Sequence, residues 1–123
     1  MSEQKQSAAV LISRDLFFTS KVTGTAAALG ICLQVVGDVQ TAARLAQNES
    51  CRCVFIDLAD AAVDVAAFFQ QFPATHQCAV VAFGSHVQTE RLQSARDAGC
   101  TAVLPRSRFS AELPELLQQF CAR

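Results

Sequence analysis

At 123 residues the chain is long enough to close one hydrophobic core without disulfide staples. Half of it (51%) is hydrophobic and 17% is charged, which excludes the disordered and fibrous classes. The net charge is -1 and no basic stripe appears, which argues against nucleic acid or an anionic membrane as the main partner.

The first apolar run, Ala8 to Ser13, reads as a short parallel strand covered on both faces. Asp15 is placed to cap a helix running to about Leu29, with Leu16, Val22, Ala26 and Leu29 at helical spacing and Gly30 as the stop. Ile31 to Val36 reads as a second strand ended by Gly37. Asp38 then opens a helix with Val39, Ala42, Ala43 and Ala46 inward. The third strand, Cys51 to Asp57, ends in a carboxylate. A third helix follows with Val65, Phe68, Phe69 and Phe72, broken at Pro73. Cys78 to Phe83 is the fourth strand, closed by Gly84 and Ser85. The helix over Val87 to Ala98 turns Leu92 and Ala95 inward and ends at Gly99. Thr101 to Leu104 is a fifth strand, and Ser110 opens a last helix carrying Leu113, Leu116, Leu117 and Phe120. Pro114 in that helix is tolerable only near its start.

Five strand-helix units with apolar strands predict an α/β fold with a doubly wound parallel sheet. The whole chain, 1–123, reads as one domain behind a flexible N-terminal segment of residues 1–7. The polar start lacks the apolar core of a signal peptide and no run is long enough to span a membrane, so the expected location is the cytoplasm. The six cysteines (Cys32, Cys51, Cys53, Cys78, Cys100 and Cys121) sit in apolar surroundings and read as buried, reduced thiols. Cys51 and Cys53 are expected on one face of their strand. His76 and His86 add no ligand spacing, so no metal is assigned to the thiols.

In open parallel sheets reactive groups gather at the carboxyl ends of the strands. That selects Ser13, Arg14, Asp15, Asp57, Gly84, Ser85, Pro105 and Arg106. No glycine cluster follows a strand, which argues against a nucleotide or flavin cofactor. Adjacent pairs Phe17-Phe18 and Phe68-Phe69 are expected to turn one ring to the sheet and the other sideways or outward.

Val54-Phe-Ile-Asp57-Leu58 resembles the phosphoacceptor strand of response-regulator receiver domains. Ala98-Gly-Cys-Thr-Ala-Val-Leu-Pro-Arg106 is similar to their approach, through the fifth strand, to a lysine; Arg106 holds the lysine position and Ser107 the usual proline. The resemblance runs from about Ala8 to Phe120. It implies a three-layer αβα, flavodoxin-like (CheY-like) fold with a five-stranded parallel sheet in the order 2-1-3-4-5. It also makes Asp57 the candidate phosphoacceptor.

Measured against that family, the remaining site is degenerate. Ser13 and Arg14 stand where an acidic pair would bind Mg²⁺, with Asp15 just beyond as a helix cap. The hydroxyl expected at the end of the fourth strand falls at Gly84, with Ser85 one residue late, and the switch aromatic falls at Val103. Arg106 keeps a charge without the compact ammonium of lysine. Arg14 or Arg106 is therefore expected to pair internally with Asp57.

The resulting expectation is a non-enzymatic, degenerate receiver acting by protein-protein contact. No catalytic residue or cofactor is assigned, and Mg²⁺ enters only if the altered site still works. Its partner would be a histidine kinase or an output protein, and output would have to come from another polypeptide or a missing part. A mixed-charge face of Glu90, Arg91, Arg96, Asp97, Arg108, Glu112 and Glu115 is a candidate homodimer surface. Two alternatives stay open: an active receiver phosphorylated on Asp57 by a histidine kinase, and a flavodoxin-like small-ligand domain or enzyme.

Overall fold

The computed structural model describes residues 7–72 and 78–121. Strands β1 (Ala9–Ile12), β2 (Leu33–Val36), β3 (Cys53–Asp57), β4 (Ala79–Gly84) and β5 (Ala102–Pro105) alternate with helices. The helices are α1 (Leu16–Ala28), α2 (Val39–Ala46), α3 (Val65–Gln71), α4 (Thr89–Ala98), α5 (Arg106–Ala111) and α6 (Leu113–Cys121). All strand pairs are parallel, in the order β2-β1-β3-β4-β5. The fold and strand order expected from the sequence are therefore observed.

Strand alternation builds two cores. Val10, Ile12, Val54, Ile56, Val80 and Ala82 face α2, α3 and α4, while Leu11, Phe55, Val81 and Phe83 face α1, α5 and α6. A parallel strand covered on both sides must be apolar throughout, and β1 and the first four residues of β3 are. Burial is complete along both strands, so the one charged side chain inside β3, Asp57, is held by the fold at its carboxyl end.

Aspartates start three helices. Asp15, Asp38 and Asp64 accept backbone N–H groups from Phe18, Thr41 and Ala67 respectively. At the end of α1, Gly30 adopts φ +75°, and the N–H groups of Gly30 and Ile31 return to the carbonyls of Ala27 and Ala26. Ile31 is thus spent on closing the helix, and the first contact with the β1 segment is made by the Cys32 carbonyl, just ahead of β2. Gly99, at φ +114°, closes α4 in the same way.

Several expectations need correction. Leu16 does not join the core: it is 79% exposed, and Phe18, Val22 and Ala26 form the inward stripe. The last helical region starts at Arg106 rather than Ser110, and breaks at Glu112 into α5 and α6. Pro114 is the second residue of α6, a first-turn position where no intrahelical N–H is lost. Cys51 and Cys53 lie on opposite faces, because Cys51 sits in a turn ahead of the strand, where the two-residue period does not apply. Cys32, Cys78 and Cys100 are only half-buried; Cys51, Cys53 and Cys121 are buried. Pro73, His76 and residues 1–6 lie outside the described residues.

Candidate functional site

The carboxyl ends of β1, β3 and β4 and the start of α5 converge on Asp57. Its side chain is 3% exposed and hydrogen-bonded on both oxygens. Ser13 donates its hydroxyl to Oδ2 at 2.7 Å. The Ala59 N–H reaches Oδ1 at 3.0 Å, and Arg106 Nη1 reaches the same oxygen at 2.8 Å.

Ser13 is inward because it continues the alternation of β1, and its oxygen also accepts the Asp15 N–H at 3.2 Å. A neutral donor suits this position physically. A second carboxylate this close to Asp57 would repel it unless a cation lay between them.

Arg106 supplies the cation. Besides Asp57 it binds Asp15 Oδ2 through Nη2 at 3.0 Å, so one guanidinium bridges two carboxylates. Its plane is backed by Phe18, whose ring centroid lies 4.2 Å from Cζ. Phe18 in turn meets Phe83 at 5.1 Å, and Phe83 stacks on Phe109 at 4.0 Å. This aromatic pedestal fixes a long side chain that would otherwise sample many rotamers. Pro105 precedes it in extended geometry and turns β5 into α5, aiming Arg106 back across the strand ends.

Arg14, by contrast, is not in the site. Alternation sends it outward, 71% exposed, over Gly37 and 3.8 Å from Asp60. The expected internal pairing is present for Arg106 and absent for Arg14. Ser85 does not replace the missing hydroxyl either, since its oxygen accepts the Val87 N–H inside the β4-α4 turn. Gly84 leaves little room for a side chain: a Cβ there would lie 3.0 Å from Leu58 Cβ, which would have to shift. Val103 packs against the α2-α3-α4 side of the core as a half-buried residue.

Two features escaped sequence reasoning. Arg91, assigned to a charged surface, instead turns inward to the β3-α3 loop. Its Nη2 donates to the carbonyls of Leu58 at 2.9 Å and Asp60 at 3.1 Å, and both terminal nitrogens reach that of Val63 at 3.4 Å. Phe18 was legible as a core ring but not as the platform for Arg106. Neither feature has a local sequence signal, because both join residues far apart in the chain. His86 is exposed at the rim, and Phe17, the outward member of its pair, is 92% exposed.

A resident Mg²⁺ does not fit this donor set. The ion demands near-octahedral oxygen coordination, usually with one or two carboxylates. Here both Asp57 oxygens already accept hydrogen bonds, Asp15 Oδ1 caps α1 and Oδ2 holds Arg106. A dication bound by both acids would have to compete with the guanidinium at Asp15 Oδ2 and with the hydrogen-bond donors on Asp57.

No protein-family model matches the chain, and no curated protein matches it. Solved structures do. The receiver domain of a sensor histidine kinase from Pseudomonas aeruginosa, which holds a magnesium ion in its active-site cleft, superposes with a TM-score of 0.76 at 16% identity over 97% of this chain and 100% of that one. A response-regulator receiver domain from Bermanella marisrubri gives 0.75 at 14% identity, covering 94% and 98%. The beryllofluoride-activated receiver domain of nitrogen regulatory protein C gives 0.69 at 17%, covering 95% of each. The chain therefore has the fold of response-regulator receiver domains. No described helix is long and apolar enough to cross a membrane.

Proposed function

We propose that this chain is a receiver-like signalling domain that works through protein-protein contacts, without Mg²⁺-dependent phosphorylation. The bridge from Arg106 to Asp57 and Asp15 carries this reading. In a phosphorylating site a carboxylate oxygen must be free to attack, and a mobile metal neutralises the transferred group. Here the attacking group is enclosed and its counter-charge belongs to the chain.

The partner on this reading is a histidine kinase or an output protein. The surface of α4, β5, α5 and α6 suits contact with a second copy, since it mixes charges of both signs, with Arg108 and Glu112 paired across it at 3.2 Å. Size-exclusion chromatography with light scattering at high concentration tests that arrangement, and a strict monomer argues against it.

Incubation with Mg²⁺ and beryllofluoride, or with a small phosphodonor, tests the central claim. Unchanged mass and unshifted amide resonances around Asp57 are expected. A response that disappears in Asp57→Asn would overturn the proposal in favour of an active receiver phosphorylated on Asp57 with Mg²⁺ as cofactor.

A further inference from the structure

We propose that Cys51 and Cys78 form a reversible disulfide site at the end of the sheet opposite Asp57. Their sulfurs lie 3.7 Å apart. Cys51 occupies the turn before β3, and Cys78 immediately precedes β4. These strands are neighbours, with Cys53 opposite Ala79, so register brings the residues ahead of them side by side. Both thiols pack on the α2-α3-α4 side of the core. Closing to a bond of about 2.0 Å requires side-chain rotation and a small backbone adjustment rather than rearrangement of the sheet.

The other thiols do not compete. Cys53 is buried on the opposite face, where Cys121 is its thiol partner. Burial pushes the half-buried Cys100 thiol up to about 11, which keeps it protonated and unreactive. Within the proposed pair the two thiols are unequal. The hydrogen bond from Cys78 holds Cys51 below the usual thiol range, and the same bond, with burial, pushes Cys78 up. The half-buried Cys78 gives a small oxidant access to the pair.

The oxidant class is a peroxide. Two S–H bonds break and one S–S bond forms; two electrons and two protons pass to hydrogen peroxide, which leaves as two waters. The sulfurs are oxidised and the peroxide oxygens reduced, and a dithiol reverses the change. The cross-link would close the loop over residues 51–78, which carries β3 and α3.

The test treats the reduced protein with hydrogen peroxide, then unfolds it and alkylates the free thiols. Before alkylation the mass should fall by about 2 Da; alkylatable thiols should then fall from six to four, with a linked peptide joining Cys51 to Cys78. The oxidised form should melt about 5–15 °C higher, and a dithiol should restore the original Tm. Cys78→Ser, at the half-buried position, should abolish the cross-link, while Cys100→Ser should retain it. Six free thiols after treatment, or a linkage mapping to any other pair or between chains, overturns the proposal. Circular dichroism confirms that each variant is folded before it is scored.

Discussion

Replacing Arg106 with methionine keeps much of the stem's apolar packing and removes the guanidinium. The charge-assisted hydrogen bond to buried Asp57 contributes about 1.5–3 kcal/mol, and stacking over Phe18 adds about 0.5–1 kcal/mol. The Asp15 contact contributes under about 1 kcal/mol, because that carboxylate is 45% exposed. Asp57 retains Ser13 and the Ala59 N–H, which holds the loss below the roughly 3–5 kcal/mol of breaking a fully buried pair. Together these give about 2–4 kcal/mol of destabilisation at neutral pH. Urea unfolding of the wild type, Arg106→Met, Asp57→Asn and the double variant measures it. The cycle should return a coupling of about 1.5–3 kcal/mol between the two residues. Arg106→Lys should recover only part of the loss, because one ammonium cannot span both acids in the plane of a fork. A loss under about 0.5 kcal/mol for Arg106→Met, with no coupling, would refute the view that the guanidinium holds this site together.

Gly84→Thr should cost about 1–3 kcal/mol by overpacking against Leu58, and combining it with Leu58→Ala should cost less than the sum of the two. Arg91→Ala strips the carbonyls of Leu58, Asp60 and Val63 of a shared donor, so a loss of about 1–3 kcal/mol and faster hydrogen exchange at the start of α3 are expected. Asp38 gives a pH signature. The Thr41 backbone N–H, then its hydroxyl, hold the Asp38 carboxyl below the usual range. Its stabilising contribution is therefore present above its unfolded value of about 3.9 and lost as pH falls through the folded one. Urea midpoints of the wild type and Asp38→Asn should differ in acid-side slope, with the asparagine variant flatter.

The sequence made the strands and helix starts legible for a local reason. Four-residue apolar runs and aspartates ahead of helices report structure within one turn of themselves. The local rule fails at two points: Leu16 has helical spacing but lies outside the stripe of Phe18, Val22 and Ala26, and Cys51 precedes the strand whose period it would share. Around Asp57, sequence order brought out Ser13, Asp15 and Arg106 because strand ends converge in this topology. It could not separate Arg14 from Arg106 as the partner, since one residue of alternation decides inward from outward. The aromatic pedestal and the inward turn of Arg91 depend on packing between distant elements, which periodicity does not encode.

A cation built into the chain differs thermodynamically from one that binds. The free energy of a bound metal adds to stability as RT ln(1 + [L]/Kd), so the folded state responds to its concentration. The free energy of a tethered guanidinium is already part of folding and does not depend on the concentration of any metal. With Asp57 and Asp15 both engaged by Arg106, added Mg²⁺ has no carboxylate pair to bind without first breaking two contacts. The urea midpoint of the wild type should therefore be the same in a chelator as in about 10 mM Mg²⁺, whereas a site with a Kd of about 1 mM would add about 1.4 kcal/mol. A rise of that size, lost in Asp57→Asn, would show that the metal displaces Arg106 and that the charge at this site is exchangeable after all.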